Sequence, residues 1–309
     1  MNLKECGLCG NKNFSEIYHQ VDRYGQKVTT VVCNKCGLIQ LNPRKNEDEL
    51  ANFYSSHYYT GYSLDENKTN SSNWLSRKNK IAKDILDAVE LHKELNGKRL
   101  LDIGSSYGFL IKEAQNRGSE VFGIEPSVKQ ANDLKREGFN IFNGTLQNYL
   151  DTDYNFFDII TLSHVLEHVE QPKFFLSSIS KLLKPESFLC VEVPNISWQL
   201  EFGRFPYSSH SAHIYYFTPQ TMKALFELSG YNVVSTSYGL EGATVRIVAN
   251  LGKRKELDDF IMPIHKPDKI RLDIEKNIKR LNPSLYTRLF LMPDLSSRIL
   301  NRLKRFINT

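Results

Sequence analysis

Residues 100–110 constrain the fold of this chain more than any other stretch. Their sequence, Leu-Leu-Asp-Ile-Gly-Ser-Ser-Tyr-Gly-Phe-Leu, is an apolar strand followed by a turn of small residues and the start of a helix. Small residues let the backbone of such a turn approach a ligand closely, and the first turn of the helix directs unpaired N–H groups at that ligand. The stretch therefore predicts a nucleotide-cofactor loop at the end of a strand.

Two common phosphate-binding loops are excluded by the residues of this turn. No lysine follows at the G-x-x-x-x-G-K-[ST] spacing of a P-loop, and the G-x-G-x-x-G fingerprint of dinucleotide-binding folds is absent. A second apolar strand begins at Val121 and ends in Glu125, about 20 residues after the turn, the spacing at which an acidic side chain reaches ribose hydroxyls in a nucleotide-binding α/β fold. The turn and the spaced glutamate together indicate a nucleotide-cofactor site of another kind.

The pattern D-x-G-x-S-x-G at residues 102–108 resembles the first motif of the class I S-adenosylmethionine-dependent methyltransferases, which usually have glycine where this chain has Ser106. The resemblance implies S-adenosylmethionine as cofactor, with its methionine part held at the turn. Within residues 143–147 the family often has an acidic residue that contacts the adenine amine, and in this chain Thr145, Gln147 or backbone groups would make that contact. In the family, the end of the fourth strand lies beside the transferring methyl group. The cofactor-binding residues implied are Asp102, Gly104, Ser105, Ser106, Gly108, Glu125, Pro126, Thr145, Ser163 and His164.

Strands and helices alternate along the chain after residue 98. Short apolar strands are predicted at Asn140–Phe142, Phe157–Leu162 and Ser187–Val193, and Cys190 in the last of these is predicted to be a core residue. Such alternation builds a parallel sheet with helices on both faces and a ligand site at the carboxyl ends of the strands. The methyltransferase resemblance covers about residues 98–250 and implies a Rossmann-like α/β sheet, mostly parallel, with an antiparallel last strand.

Four of the five cysteines occur in two C-x-x-C-G pairs, namely Cys6, Cys9, Cys33 and Cys36. Two residues between thiolates let one tight turn offer both sulfurs to a metal ion, and two such turns complete a tetrahedral site. The β-forming residues between the pairs would form a hairpin, which makes residues 1–45 a zinc ribbon. Disulfide bonds are one alternative, but they are disfavoured in a cytosolic protein. A redox-active C-x-x-C motif is the other, but such a motif needs only one cysteine pair and this chain has two. A closed four-cysteine site has no open coordination position, so we expect this zinc ion to be structural.

Residues 46–97 connect the ribbon to the sheet. Glu47–Tyr54 is predicted as a short helix, and a tyrosine-rich segment follows it. These tyrosines either form a lid or wall of an acceptor pocket or pack between the ribbon and the main domain, and the sequence leaves both readings open. Apolar residues at helical spacing from 81 to 89 predict a longer helix that ends at Asn96-Gly97.

The net positive charge of the chain lies in residues 251–309, which are predicted to form a basic helical tail. They hold 14 Lys+Arg against 7 Asp+Glu, a net charge of +7, so the total of +5 leaves residues 1–250 at −2. Because the main domain is not basic, nucleic acid is disfavoured as a partner. Apolar residues between 295 and 307 fall on one face of a basic helix, which would dock on its own domain, form a homodimer or make a peripheral contact with the inner face of a membrane.

An insertion at residues 202–217, rich in aromatic residues and histidines, follows the fifth strand and is expected to line the acceptor pocket. The candidate acceptor contacts are Arg204 and Tyr207 of this insertion and Tyr58 and Tyr59 of the connector. A hydroxyl acceptor needs a base for its proton, and histidine suits that role near neutral pH. The predicted bases are His213, in a His-x-x-Tyr-Phe-Thr pattern that recurs in the family, and His210. The alternative is that His213 only fixes the start of the next helix, and Glu167 and His168 are expected to pack or to touch substrate.

Together these features predict a cytoplasmic S-adenosylmethionine-dependent methyltransferase with a structural zinc ribbon. No apolar run reaches the roughly 18 residues of a membrane span, and the N-terminus lacks the apolar core of a signal peptide. A cysteine ribbon before this domain is similar to methyltransferases of deoxysugar and surface-glycan pathways. The expected acceptor is therefore a saccharide or related small metabolite in surface-glycan or capsule biosynthesis, methylated on oxygen. An RNA methyltransferase and a non-catalytic binding or scaffold protein are the alternatives, and the intact Asp102 and Glu125 argue against the second.

Overall fold

The computed structural model describes residues 4–22, 24–46, 49, 72–256 and 267–280. The expectations for Tyr58 and Tyr59, for a helix after residue 47 and for the amphipathic helix of the tail fall outside the described residues. Within the described part of the chain, no helix is long and apolar enough to cross a membrane.

The strands in chain order are β1 Phe14–Val21, β2 Lys27–Cys33, β3 Ile39–Leu41, β4 Arg99–Ile103, β5 Glu120–Glu125, β6 Asn140–Asn143, β7 Phe157–Ser163, β8 Leu183–Pro194, β9 Tyr215–Tyr216, β10 Tyr231–Gly239 and β11 Thr244–Leu251. The α-helices are α1 Ser72–Glu90, α2 Phe109–Asn116, α3 Val128–Arg136, α4 Leu146–Leu150, α5 Pro172–Ile179, α6 Ile196–Glu201, α7 Phe205–Ser208, α8 Pro219–Leu228 and α9 Pro267–Arg280.

The central sheet has seven strands in the order β10-β11-β8-β7-β4-β5-β6. Strands β4 to β8 pair in parallel, and β11 pairs antiparallel with both of its neighbours. The predicted Rossmann-like sheet with an antiparallel last strand is therefore confirmed. Because the parallel strands end along one edge, the loops after β4, β5 and β7 meet there, and this edge is where ligands bind in such sheets.

Side chains of the central strands alternate between two hydrophobic clusters, one on each face of the sheet. Leu100 packs with buried residues of α1, α2 and α3, whereas Leu101 packs with buried residues of α5 and α8. Cys190 is fully buried in the first cluster, which confirms its prediction as a core residue. The parallel strands are thus covered on both faces, and the edge of the sheet is left for the site.

Residues of the N-terminal ribbon form a second sheet, in the order β1-β2-β3-β9. The β1–β2 hairpin between the two cysteine pairs is antiparallel, as the sequence predicts. Its fourth strand, β9, comes from the insertion after β8 and pairs Ile39 with Tyr216 and Gln40 with Tyr215. The ribbon and the aromatic insertion of the main domain therefore share one sheet.

The ribbon sheet and the insertion also share a hydrophobic cluster. Buried Ile196, Phe205 and Tyr216 pack there with β1, β2 and β3 of the ribbon. Two residues of α9, Ile270 and Ile274, close the same cluster and are each 3% exposed. The insertion is thus held on one side by the main domain and on the other by the ribbon.

Candidate functional site

The turn after β4 has the backbone geometry that the sequence motif requires. Gly104, Ser106 and Gly108 have φ angles of 82°, 49° and 77°, in the left-handed region that favours glycine. A Cβ at Gly104 would lie only 2.6 Å from Cγ2 of Val165, in the loop after β7. The absence of a side chain at position 104 therefore lets the two loops approach each other at the edge of the sheet.

Glu125, at the end of β5, links two of these loops. It is 2% exposed; its Oε2 accepts a hydrogen bond from the backbone N–H of Ser106 at 2.7 Å, and its Oε1 accepts one from the N–H of Ser127 at 2.8 Å. Ser127 in turn caps α3. The predicted ribose-binding carboxylate is therefore fixed against the predicted methionine-binding turn.

Asp102 lies inside the sheet directly before the turn. Its Oδ1 accepts a hydrogen bond from the hydroxyl of Thr161 at 2.8 Å, and its carbonyl oxygen accepts one from the hydroxyl of Ser105 at 2.9 Å. Burial raises the pKa of Asp102 to about 7; the nearby charge of Glu125 adds to this, and the bond from Thr161 opposes it. Asp102 and Ser105 therefore stabilise the shape of the loop from beneath.

The loop after β6 contains Thr145, which the family resemblance implies as a contact of the adenine. Thr145 is exposed and caps α4: its hydroxyl donates to Oδ1 of Asn148 at 2.8 Å and accepts from the N–H of Asn148 at 3.3 Å. The side-chain amide of Asn143 donates to the carbonyl oxygens of Glu125, at 2.9 Å, and Pro126, at 3.3 Å. Asn143 therefore ties the end of β6 to the end of β5.

An aromatic group lies on the outer side of the turn. Trp74 of α1 contacts Tyr107 and Phe109 edge-on, with ring centroids 5.3 Å apart in both pairs. These residues and Ser106 line a cavity of about 540 Å³ that extends to Gln130 of α3. The start of α1 therefore forms a wall beside the cofactor loop.

Ser163 and His164 end β7 at the same edge. His164 has a φ of 57°, a strained backbone conformation for a residue other than glycine. Its backbone N–H donates a hydrogen bond to the carbonyl oxygen of Glu192 at 2.9 Å, which fixes the residue against β8. Its side chain is 35% exposed, and its Nδ1 lies 3.2 Å from Oε1 of Glu167. Position 164 therefore presents an imidazole at the strand end that the family resemblance places beside the methyl group.

Glu167 is the centre of a histidine cluster that spans two parts of the chain. It lies in the short 3₁₀ turn Leu166–His168, and its side chain is 1% exposed. The Nε2 atoms of His168 and His213 lie 3.8 and 3.9 Å from its Oε1. Burial opposes ionisation of Glu167, but the charges of His168 and His164 and the hydrogen bond with His164 together hold its pKa below the usual value.

The insertion places the two histidines predicted as bases in different surroundings. The rings of His210 and His213 have centroids 4.1 Å apart, but His210 is 2% exposed, whereas the side chain of His213 is 16% exposed. His213 lies beside Glu167, and Ile214 donates its N–H to the carbonyl oxygen of Glu167 at 2.8 Å. Arg204 is exposed at the start of α7, the helix that contains Tyr207.

Contacts with the ribbon hold this part of the insertion. The N–H of Ser211 donates to Oδ2 of Asp22 at 2.7 Å, the hydroxyls of Thr30 and Ser209 lie 2.9 Å apart, and Gln20 donates to the carbonyl oxygen of Ser209. The ribbon therefore positions the segment that brings His213 to Glu167. Sequence reasoning found the members of this cluster separately and did not predict that they meet.

The four ribbon cysteines converge on one point. Their Sγ atoms lie within 4.8 Å of one another, with Cys6 and Cys36 separated by 3.5 Å and Cys9 and Cys33 also by 3.5 Å. Four thiolates offered by two tight turns are a donor set that fits a tetrahedral zinc ion. The residues present therefore fit the structural metal that the spacing predicts.

Comparisons with known proteins agree with this geometry. Residues 74–236, which are 163 of the 309 residues, match the model of a family described as methyltransferase domain. The match includes the β4 turn, Glu125 and the Glu167 turn. The chain therefore belongs to this family of methyltransferase domains.

Curated relatives match only part of their own length. The ubiquinone biosynthesis O-methyltransferase of Nitrosococcus oceani is 34% identical over 107 residues, which cover 32% of this chain and 45% of that protein. The mitochondrial ubiquinone biosynthesis O-methyltransferase of Schizosaccharomyces pombe is 33% identical over 114 residues, 33% of this chain and 40% of that protein. This chain thus spans less than half the length of these relatives.

Solved structures of methyltransferases share the fold at low identity. Magnesium protoporphyrin IX methyltransferase from Synechocystis PCC 6803, with bound S-adenosylhomocysteine, aligns with a TM-score of 0.52 at 12% identity, covering 67% of this chain and all of that one. The 1,6-didemethyltoxoflavin-N1-methyltransferase of Burkholderia thailandensis aligns with a TM-score of 0.51 at 15% identity, covering 74% and 96%. At these identities the likeness supports the fold alone.

Proposed function

We propose that this methyltransferase acts on a hydroxyl oxygen of a small-molecule acceptor. The observation that carries the proposal is the histidine cluster around Glu167, placed directly after β7 at the edge of the sheet that holds the predicted cofactor site. A neutral hydroxyl is a weak nucleophile, and a base that takes its proton raises its reactivity. A cluster of imidazoles around a buried carboxylate offers such a base.

The residues around the β4 turn would hold the cofactor. Glu125 would bind the ribose, the backbone around Gly104 and Ser106 would bind the methionine part, and Asn143 and Thr145 would face the adenine. When bound, S-adenosylmethionine supplies an electrophilic methyl group, whose former bonding electrons remain on sulfur after transfer. The chain contributes orientation, which is the main source of catalysis in a direct displacement.

His164 is the best-placed base of the cluster. Its side chain is the most accessible, 35% exposed against 16% for His213 and 12% for His168. Its Nδ1 lies 3.2 Å from Glu167, so that the carboxylate can hold the proton on Nδ1 and leave Nε2 to accept the proton of the acceptor. His213 and His210, the bases predicted from the sequence, stay as second candidates.

The acceptor proposed from the sequence is a saccharide or related small metabolite of surface-glycan or capsule biosynthesis. The curated relatives support O-methylation and favour a second class, the phenolic precursors of a quinone. RNA is disfavoured by the net charge of −2 on residues 1–250. The proposal also includes a structural Zn²⁺ in the ribbon. It further includes a cytoplasmic location and a role of the tail in dimer or membrane contact, and these two parts rest on sequence alone.

Transfer of labelled methyl groups into an extract of the source cell tests the function. The extract is separated into nucleotide sugars, lipid-linked glycans, quinone lipids, RNA and protein, and the enzyme is compared with its His164→Gln variant. Label in a sugar fraction, reduced at least tenfold by the variant, supports the saccharide proposal. Label in quinone lipids would support O-methylation with a phenolic hydroxyl as the acceptor. Label in RNA, or no label in any fraction, contradicts the proposed function. Binding of S-adenosylhomocysteine by calorimetry shows that the variant is folded.

A further inference from the structure

The cluster around Glu167 has a second property that base catalysis does not explain. The Glu167 side chain is 1% exposed, and its Oε2 has no hydrogen-bond partner among the described residues. Burying an ionised carboxylate with an oxygen unsatisfied costs free energy unless a positive charge compensates it. A cation bound beside this oxygen would supply that compensation.

Two of the histidines beside this carboxylate, His168 and His213, are arranged as metal ligands are. Nδ1 of His168 lies 2.7 Å from the carbonyl oxygen of Ala212 and donates its proton there, so the lone pair of the neutral ring is on Nε2, the atom that faces Glu167. A hydrogen bond from one ring nitrogen to a backbone carbonyl is the usual support of a histidine that binds a metal through the other. Nε2 of His213 faces the same carboxylate from the insertion, at 3.9 Å.

We propose that Glu167, His168 and His213 bind a divalent first-row transition-metal ion. Their three ligand atoms lie within 4.8 Å of one another, so small side-chain shifts bring them to one ion at the usual distances of about 2.0–2.2 Å. Two imidazoles and one carboxylate are a donor set for ions such as Zn²⁺, Fe²⁺ or Mn²⁺, and three protein ligands leave coordination positions open. The site differs from the four-thiolate ribbon site, which offers no open position.

The location of this ion deepens the proposed function, on which the following role rests. His164 directly follows β7, and its Nδ1 lies 3.2 Å from Oε1 of Glu167, so an acceptor hydroxyl that reaches His164 would be close to an ion held by Glu167. A divalent ion held there would lower the pKa of a hydroxyl that it contacts, and Nε2 of His164 would accept the proton while the oxygen keeps the electron pair. His213 then acts as a ligand, which separates its role from that of His164.

Cobalt titration of the full chain, with zinc retained in the ribbon and weakly held ions removed by a chelator, tests the site. Co²⁺ bound by nitrogen and oxygen gives visible d–d absorption without the sulfur-to-cobalt charge-transfer bands that a thiolate site produces. We expect one equivalent with this signature in the wild type and an affinity at least tenfold weaker in Glu167→Gln and in His213→Ala. Calorimetric binding of S-adenosylhomocysteine to each variant shows that it is folded.

A matched control is available on the ribbon surface. His19 lies 3.2 Å from Glu16, and the two side chains are 60% and 65% exposed, so His19→Ala removes a histidine beside a carboxylate without touching the cluster. We expect it to bind Co²⁺ as the wild type does. The inference is overturned if the wild type takes up no Co²⁺ with the nitrogen and oxygen signature, or if Glu167→Gln binds it equally well. Cobalt binding needs no acceptor, so a failure of methyl transfer would reject the proposed function and leave this result standing.

Discussion

Single carboxylates at the strand ends decide the shape of the site. Glu125 accepts hydrogen bonds from the N–H groups of Ser106 and Ser127, and Asp102 accepts one from Thr161. Both are nearly fully buried, at 2% and 3% exposure. A buried carboxylate satisfied by fixed N–H or O–H donors is held in one position, and its chemistry therefore responds strongly to substitution.

Glu125→Gln is expected to weaken binding of S-adenosylhomocysteine by about 10- to 100-fold. An amide can keep only one of the two N–H bonds through its oxygen, and loss of a charge-assisted bond costs about 1.5–3 kcal/mol. Glu120→Gln is the control, because Glu120 begins the same strand and its side chain is 62% exposed in a pair with Arg99. Calorimetry measures both variants, and equal weakening by the two would contradict a specific role of Glu125.

Asp102→Asn is expected to remove part of the pH dependence of stability. The folded chain keeps the proton of Asp102 up to about pH 7, whereas the unfolded chain keeps it only to about pH 4, so this residue lowers stability as pH rises through that interval. The free energy of unfolding of the variant minus that of the wild type should therefore be about 2–3 kcal/mol higher at pH 8 than at pH 5. Urea unfolding without cofactor measures it, and a constant difference at the two pH values would disprove the shifted pKa.

Motif residues were predictable from the sequence because local spacing determines them. The turn at residues 104–108 and Glu125 belong to one strand, the turn after it and the next strand. These elements are close in the chain, so a local sequence pattern contains them. The meeting of Glu167 with His213 depends instead on how an insertion 46 positions further along folds back, and no local pattern contains that information. Thr145 shows the other limit, since a threonine after a strand predicts a helix cap as well as a ligand contact.

At the scale of elements, the short strand β9 has the largest effect. Its two residues join the ribbon sheet to the insertion, and the Tyr215 hydroxyl donates to the carbonyl oxygen of Glu170 at 2.8 Å. A Cβ at Gly7, in the first cysteine turn, would collide with the ring of Tyr215. The first cysteine turn therefore packs directly on the strand that follows His213.

After a chelator has removed weakly held ions, Cys33→Ser is expected to lower the remaining zinc content from one ion per chain to near none. Loss of a structural metal removes its binding free energy from the folded state, so we expect the melting temperature to fall by about 5–10 °C. A zinc-sensitive dye and a thermal scan measure the two effects. Lys35→Ser changes an exposed residue of the same turn and should alter neither. A Cys33→Ser protein that keeps its zinc and its stability would contradict the four-cysteine site.

The fold class was predictable from strand and helix alternation, and the hairpin between the cysteine pairs was predictable from its β-forming residues. Strand β9 was not, because two residues carry no period and their strand character comes only from pairing with β3. Sequence patterns report contacts between neighbours in the chain. The connection between ribbon and insertion is made by contacts over more than 170 residues, such as Gln20 with Ser209.

At the scale of the whole molecule, the ribbon is not a separable appendage. Asp22 and Thr30 bond to the insertion, and the cluster around Phe205 and Tyr216 is covered by the ribbon strands. Residues of α9 close the same cluster, so the two ends of the described chain meet there. Ribbon, insertion and α9 therefore form one unit built on the edge of the central sheet.

Removal of residues 1–45 is expected to give a chain that aggregates and does not bind S-adenosylhomocysteine. The deletion exposes buried Ile196, Phe205 and Tyr216 and leaves β9 without its strand partner. Size-exclusion chromatography and calorimetry measure the outcome. A truncated chain that stays monomeric and binds the ligand with the affinity of the full protein would show that the ribbon is an independent domain.

The pairing of β3 with β9 also sets an order of events during synthesis. Ile39 and Tyr216 are neighbours in the sheet but 177 positions apart in the chain. At about 5–20 residues per second, the ribosome needs roughly 10–35 s to make the second strand after the first. For that time the nascent ribbon presents an open edge strand, the kind of surface that pairs with other chains. We therefore expect newly made chains to depend on chaperone protection until the insertion has left the ribosome.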